Sequence, residues 1–386
     1  MFNYFPDNHA WSFTVLIALL AGGDISEVDD ACRSLKELAN SGDEAAQEAW
    51  HESWKRLGNR LEGLAVRDEE AGHYLSAGRK YLSASNYYTI AERQISHQNP
   101  KKMETYKQAL KTFRKGIELG REPVEFVEVP YKETSLPALF IPALGDDPAP
   151  CMIHFDGGDV VKETYYLGER DVFRRRGVSQ LIVDHPGVGE ALRLRNLYSG
   201  PDTEVPAGAC VDYLEGRPDV DPDRIGIMAP SLGGYYAPRA AAFEKRLKCC
   251  VAWGAAWDFG PVASRIASDK GQKDATGAFQ LMFIFGKDTL EEAVEVAKKL
   301  TLEGVVDKIT CPLLVTHGEN DRLAPVWFAE KTIDGAVNSP KRELKIFKSD
   351  EGGVEHCQAD NNELGVEYIA DWVAETLGAF PKGTGV

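Results

Sequence analysis

Two textures of hydrophobic patterning divide the chain. From residue 1 to about 120, apolar side chains recur at three- and four-residue steps, the period of helices. An apolar run, Trp11 to Ala21, forms a first helix that Gly22-Gly23 ends. Asp24 or Ser26 can cap a second, running to about Asn40. A third, from about Asp43 to Ala65, carries Trp50, Trp54, Leu57 and Leu61. A fourth, about Val66 to Gln94, carries Tyr74, Leu75, Tyr81, Leu82, Tyr87 and Tyr88. A fifth, about Lys101 to Leu119, is basic and amphipathic. The aromatic ladder of helices three and four could line a pocket, but stripes at this spacing more often pack a core. No fixed period recurs, which argues against a solenoid.

At Arg121-Glu-Pro123 the pattern changes to strands. Val124 to Tyr131 alternates apolar and acidic, the mark of a strand with one wet face, and Ser135 to Ile141 is its hairpin partner. After the loop Gly145-Asp-Asp-Pro-Ala-Pro150, short apolar runs alternate with helical stretches. The strands are Cys151–Phe155, Ser179–Asp184, the run around Ile225–Met228, Cys249–Gly254, Cys311–Thr316 and Glu343–Phe347. The helices are Tyr165–Arg176, Val205–Leu214, Leu232–Phe243 and Glu363–Leu377. This alternation specifies an α/β fold with a mainly parallel sheet covered on both faces. More than fifty residues separate Gly254 from Cys311, too long for a plain connection, so about 259–308 is expected to include a helical lid over the sheet's C-terminal edge. The expected domains are a helical one, 1–120, and an α/β core, 121–386.

Composition narrows the partners. A net charge of −16 argues against nucleic acid and anionic membranes. The run Trp11–Ala21 is only about half of a bilayer span, and no Lys or Arg precedes it as in a signal peptide. Seven cysteines show no C-x-x-C pair, and the eight histidines form no metal constellation. A cytoplasmic protein with reduced, mostly structural thiols, no metal and no cofactor is expected.

Chemistry gathers around Ser231. Ala229-Pro-Ser231-Leu-Gly-Gly joins a buried strand to an Ala-rich helix, the turn that holds a serine at a sharp corner. Alone, such a string is more often a helix cap. A serine nucleophile needs a base, and the base an orienting carboxylate. With the order nucleophile, acid, histidine, Asp321 follows the strand that ends near Thr316, and His356 lies on a Gly-rich loop after the last strand. His317 is a rival base, better placed to support the Asp321 loop. An oxyanion hole would use the N–H of Leu232 and one from Asp156-Gly157-Gly158-Asp159, either Gly158 or Asp159. The loop Asp184-His-Pro-Gly187-Val-Gly189-Glu190 is read as a tight structural connection. Tyr235, Tyr236, Trp253 and Trp257, with Asp258, are candidates for substrate contact or for core.

Further segments carry a resemblance: Gly157-Gly158 with Lys162-Glu163, Asp184 with Pro186-Gly187 and Gly189-Glu190, and Ser231-Leu-Gly-Gly with Tyr236-Ala237. Val251-Ala-Trp253-Gly254 with Asp258, Thr289-Leu-Glu-Glu-Ala293, His317-Gly318 with Asp321, His356-Cys357 and Tyr81-Leu-Ser-Ala-Ser-Asn-Tyr87-Tyr88 extend it over nearly the whole chain. The chain resembles the α/β-hydrolases, and among them the 2,6-dihydroxypseudooxynicotine hydrolase group and, more distantly, fungal hydrolases that shorten polyketide chains. It departs in having Ala229-Pro230 before the serine and an added Glu351-Gly-Gly-Val354. The resemblance implies an α/β-hydrolase fold with an N-terminal helical region, a Ser231–Asp321–His356 triad and a homodimer. It also implies hydrolysis of a ketone-adjacent C–C bond in a small aromatic or polyketide-like molecule. The alternatives are a carboxylesterase or lactonase, an acyltransferase, or a non-catalytic binding protein.

Overall fold

An eight-stranded sheet organises the chain from Glu125 onward, and five helices make up most of what precedes it. The computed structural model describes residues 2–39, 41, 44–145, 148–268 and 275–379. By internal contacts it divides into two units: Met1–Val124 with Glu163–Gly168 and Ser268–Gln280, and Glu125–Lys162 with Glu169–Ala267 and Leu281–Val386.

The first unit contains α1 (His9–Leu20), α2 (Ile25–Arg33), α3 (Glu44–Glu70), α4 (Tyr74–Arg93) and α5 (Pro100–Gly120). Their aromatic ladder is core. Trp50, Trp54, Tyr87 and Tyr88 are fully buried, and the Trp50 indole N–H donates to the Ile90 carbonyl at 2.9 Å. Both Tyr hydroxyls reach carboxylates at 2.7 Å, Tyr87 to Glu27 and Tyr88 to Glu62. The break expected at Ala65/Val66 falls later. Val66 to Glu70 continue α3, and the chain turns only where Gly72 adopts φ 77° and His73 N–H bonds back to the Asp68 carbonyl at 2.8 Å. The expected end of helix two at Asn40, the start of helix three at Asp43, Asp146 and Asp147 of the loop, and 269–274 of the lid lie outside the described residues.

The second unit is built on β1 (Glu125–Tyr131), β2 (Thr134–Ile141), β3 (Ala149–Phe155), β4 (Ser179–Val183), β5 (Val220–Pro230), β6 (Cys250–Trp253), β7 (Leu313–Gly318) and β8 (Arg342–Phe347). Their order is β1-β2-β4-β3-β5-β6-β7-β8. β2 pairs antiparallel with both β1 and β4, and all other pairs are parallel. β3, β4, β6 and β7 are buried along their whole length, which is why they read as continuous apolar runs, whereas edge strand β1 alternates.

The intervening helices are α6 (Lys162–Glu169), α7 (Gly189–Arg195), α8 (Glu204–Glu215), α9 (Gly233–Phe243), α10 (Phe259–Ala267), α11 (Ala275–Phe285), α12 (Leu290–Ala297), α13 (Trp327–Gly335) and α14 (Asn362–Leu377). Three differ from the sequence reading. The helix expected over Tyr165–Arg176 is α6 followed by a separate 3-10 turn, Arg174–Arg176. The Gly187/Gly189 segment, read as a tight connection, starts α7, because a glycine can open a helix as well as end one. α13 carried no strong apolar period. No helix among the described residues is long and apolar enough to cross a membrane.

Candidate active site

Ser231 stands between β5 and α9 with φ 61°, in the left-handed region where a side chain costs on the order of 1–3 kcal/mol. Its surroundings hold it there. Its N–H donates to the Trp253 carbonyl at 2.8 Å and lies 3.1 Å from Cys357 Sγ, while its carbonyl accepts from Gly234 N–H at 2.8 Å. A methyl on Gly233 would sit 2.4 Å from the Ala229 methyl. Ala at 229 is therefore tolerated only with glycine at 233.

Asp321 follows β7. Its Oδ1 accepts from Leu323 N–H at 2.8 Å and Ala324 N–H at 2.9 Å, which fixes the carboxylate without using Oδ2. His356 opens a 3-10 turn after β8, on a loop anchored by Asp360, whose carboxylate accepts from Val354 and Glu355 N–H at 3.1 and 2.9 Å. His356 Nδ1 lies 2.6 Å from Asp321 Oδ2, and Nε2 lies 2.7 Å from Ser231 Oγ. A carboxylate can only accept, so Nδ1 carries a proton, and in the neutral ring Nε2 faces the hydroxyl as acceptor. The three residues picked from chain order are thus hydrogen-bonded in line.

Burial disfavours an imidazolium at His356, but the adjacent Asp321 carboxylate outweighs it and holds the pKa well above the usual imidazole value. Burial alone would raise Asp321; the charge and hydrogen bond of His356 pull it down to about 2. His317 is otherwise engaged: Nε2–H donates to the Ala324 carbonyl at 3.0 Å and Nδ1 accepts from Ala255 N–H at 3.2 Å. Burial lowers its pKa, so it remains neutral and ties the acid loop to the residues after β6.

The loop after β3 runs directly against the serine. A methyl on Gly157 would lie 2.8 Å from the Pro230 carbonyl oxygen and 2.9 Å from Ser231 Cβ. Gly158 is open except toward Ile284, and Asp159 is buried at φ 53° with its Oδ1 2.7 Å from Arg193 Nη1. Leu232 is the N-cap of α9, where backbone N–H groups have no intrahelical acceptor.

The five candidates for substrate contact or core all have partners within the protein, Tyr236 through its hydroxyl 2.7 Å from Ser199 Oγ. Tyr235 donates its hydroxyl to the Pro201 carbonyl at 2.8 Å, and the Trp253 indole N–H donates to Gln358 Oε1 at 2.8 Å. Trp257 is buried beneath the Lys331 ammonium, and Asp258 Oδ1 caps α10 by accepting from Gly260 N–H at 3.0 Å. Their spacing in sequence could not distinguish a pocket wall from core. Cys357, for which the sequence suggested no individual role, touches the elbow: besides Ser231 N–H, it donates to the Trp253 carbonyl at 3.3 Å. In the first unit Glu48, His51 and Glu52 present possible metal-ligand atoms within 4.8 Å of one another, but Lys101 already bridges the two carboxylates.

Sheet order, elbow and loop positions together define an α/β-hydrolase. The chain matches the family described as Esterase FrsA-like over residues 29–276 and belongs to it; residues 207–379 also match the prolyl oligopeptidase family. Among curated proteins it is 28% identical to an alpha/beta hydrolase, gkaG, of Penicillium citrinum, over 71% of this chain and 73% of that one. It is 27% identical to 2,6-dihydropseudooxynicotine hydrolase of Paenarthrobacter nicotinovorans, over 90% of each chain. The crystal structure of a 2,6-dihydroxy-pseudo-oxynicotine hydrolase superposes with a TM-score of 0.76 at 26% identity, over 94% of this chain and 95% of that one.

Proposed function

We propose that the protein is a cofactor-independent serine hydrolase with Ser231 as nucleophile, His356 as general base and Asp321 as its orienting acid. Its reaction in this reading is hydrolysis of a ketone-adjacent C–C bond in a small aromatic or polyketide-like molecule. The observation that carries the machinery is the pair of short hydrogen bonds joining Asp321, His356 and Ser231. Ser231 Oγ adds to the carbonyl while His356 Nε2 takes its proton, and Asp321 stabilises the imidazolium that forms. The oxyanion is met by Leu232 N–H and that of Gly158 or Asp159. As the adduct collapses, the C–C bond breaks, its electron pair leaves as an enolate, and His356 returns the proton to that fragment. Water, activated by His356, then cleaves the acyl-enzyme to a carboxylic acid.

The choice of bond rests on the resemblance to the 2,6-dihydroxypseudooxynicotine hydrolase group, a member of which is similar over 90% of the chain. The family description, an esterase, favours a second reading in which the same residues cleave an ester or lactone. Mass spectrometry of products from a panel of β-diketones, aryl ketones and lactones separates the two. Ser231→Ala should lower turnover on the order of 10⁴–10⁶-fold in a folded protein. Retained turnover, or no fluorophosphonate adduct at Ser231, would sink the assignment. The proposal also comprises a helical domain, 1–120, a lid within about 259–308, and a cytoplasmic homodimer, whose mass light scattering reads directly.

A further inference from the structure

The segment from Asp184 to Arg193 grips the loop Asp156–Asp159 and the residue that opens the next helix, Lys162, at three points. At the loop's start, His185 Nε2 lies 3.1 Å from the Asp156 carbonyl oxygen, and its ring stacks on Phe155 with centroids 4.7 Å apart. A carbonyl only accepts, so Nε2 bears the proton, and burial holds the ring neutral by pushing its pKa down to about 4. At the loop's end, the carboxylate of Asp159 meets the Arg193 guanidinium, both side chains out of contact with solvent, and that guanidinium lies 5.5 Å from the Phe283 ring centroid. Beyond it, Lys162 gives its N–H to Asp184 Oδ1 at 3.1 Å and its Nζ to Asp184 Oδ2 and Glu190 Oε1, each at 2.7 Å.

The segment is itself rigid. Asp184 Oδ2 also accepts from Glu190 N–H at 2.8 Å, and Asp184 N–H donates to the Pro137 carbonyl on β2 at 2.9 Å. Gly189 has φ 49°, and a methyl there would fall 2.0 Å from the Asp184 carboxylate carbon. Glycine is required because the carboxylate fills that space.

The held loop is the one whose backbone abuts Ser231 through Gly157, and Asp159 stays in the left-handed region without being glycine. A residue in that region persists where its surroundings over-determine it. We propose that Asp184–Arg193 is the positioning frame of the oxyanion loop, and that Arg193, acting through the Asp159 carboxylate, sets the aim of the loop's backbone donors. Arg193 is a positioning residue: it acts through Asp159. The contact is a buried ion pair through one guanidinium nitrogen, Nη1, at 2.7 Å from Oδ1, and a lysine, with its single ammonium, would replace it only in part.

The inference rests on the serine-hydrolase reading, and the test separates the two. Removing only Arg193 would leave a buried carboxylate alone, so the main variant is Arg193→Met/Asp159→Asn, which removes both charges and keeps volume. With p-nitrophenyl acetate as probe, kcat should fall about 100-fold while KM stays within threefold, the signature of a lost transition-state interaction. The Ki of an aryl trifluoromethyl ketone, whose hemiketal oxygen occupies the oxyanion position, should rise by the same factor. Binding of the matching alcohol should not change. Arg193→Lys should recover about tenfold of the loss. A structural role would lower stability or raise KM without coupling kcat to the ketone's Ki. A folded double variant with kcat within threefold of wild type overturns the proposal. If the double variant does not fold, His185→Gln, which loosens the loop at its start, must show the same coupling. Wild-type protein that takes no fluorophosphonate at Ser231 would instead refute the underlying reading.

Discussion

Asp321→Asn tests the hydrogen-bonded line at its centre. The asparagine oxygen can keep the two backbone bonds from Leu323 and Ala324 that now reach Asp321 Oδ1. Its NH₂ then faces His356 Nδ1, where the carboxylate now accepts at 2.6 Å. Facing a donor, the ring must carry its proton on Nε2, and that nitrogen can no longer take one from Ser231. The geometry survives in the wrong tautomer, and kcat should fall about 10⁴-fold. The carboxyl also contributes to stability. Its pKa of about 2 against a reference of 3.8 corresponds to about 2 kcal/mol. Because that pKa is depressed, the contribution is present above the unfolded value and lost as pH falls through the folded one. It also leans on a charged His356, whose raised pKa contributes stability below the ordinary imidazole value that disappears as pH rises through the folded pKa.

Activity has the opposite requirement, because His356 must be neutral to act as base. The acid limb of kcat/KM should therefore lie above the ordinary imidazole pKa of about 6.5. In Asp321→Asn, burial acts without the opposing carboxylate, and the limb should move to lower pH. Steady-state rates from pH 5 to 9 with an ester probe, beside thermal melts over the same range, read both effects. An activity loss under tenfold, or an acid limb that stays in place, would refute the reasoning.

Three further substitutions probe the surroundings. Gly157→Ala would press a methyl against the Pro230 carbonyl and Ser231 Cβ, at 2.8 and 2.9 Å, and displace the oxyanion loop; kcat should fall about 100-fold with KM little changed in steady-state kinetics. Cys357→Ala removes the sulfur from the Ser231 N–H and Trp253 carbonyl; kcat should fall about threefold to tenfold, and Cys357→Ser, tested beside it, should restore most of the loss. Tyr235→Phe leaves the Pro201 carbonyl without its donor; melting should show about 1 kcal/mol of lost stability, with kcat/KM within threefold of wild type. A large rise in KM for that variant would return Tyr235 to the substrate site.

The parallel strands were legible because they are buried on both faces and bounded by turn residues, as Cys151–Phe155 is within β3; the strand expected over Cys311–Thr316 is β7, Leu313–Gly318, two residues further on. β5 was seen only in part. After Val220 it continues Asp221-Pro-Asp-Arg224, with three charged residues and a proline, and its pairing with β3 shifts register between Ala149 and Cys151. Polar residues in a strand that starts at a register shift give no period-2 signal. The break between α3 and α4 was misplaced because the apolar period fades near Ala65 while the backbone continues to the next glycine. Tyr235 and Trp253 stayed open between substrate contact and core because an aromatic with a polar tip has the same sequence signature in either role. What each tip bonds to is a tertiary fact.

The candidate trio and the support from His317 were legible in the sequence, whereas most of the bonds around them were not, for one physical reason. Seven non-glycine residues among those described have positive φ, and four of them, Asp159, Ser231, Cys357 and Gln358, belong to the oxyanion loop, the elbow and the histidine turn. A glycine announces such backbone; an aspartate, serine, cysteine or glutamine does not. Each is held by partners far away in sequence: Asp159 by Arg193, Ser231 N–H by Trp253 and Cys357, Cys357 by the Trp253 carbonyl, and Gln358 by the Trp253 indole. Trp253, on β6, therefore links the elbow to the histidine turn, through its carbonyl on one side and its indole N–H on the other. The left-handed backbone thus clusters around Ser231 and His356, and the bonds that hold it come from Arg193, Trp253 and Cys357. It follows that the loss of a support should first appear in kcat, because the ground-state fold has other anchors and the aim of Ser231 and the oxyanion donors does not.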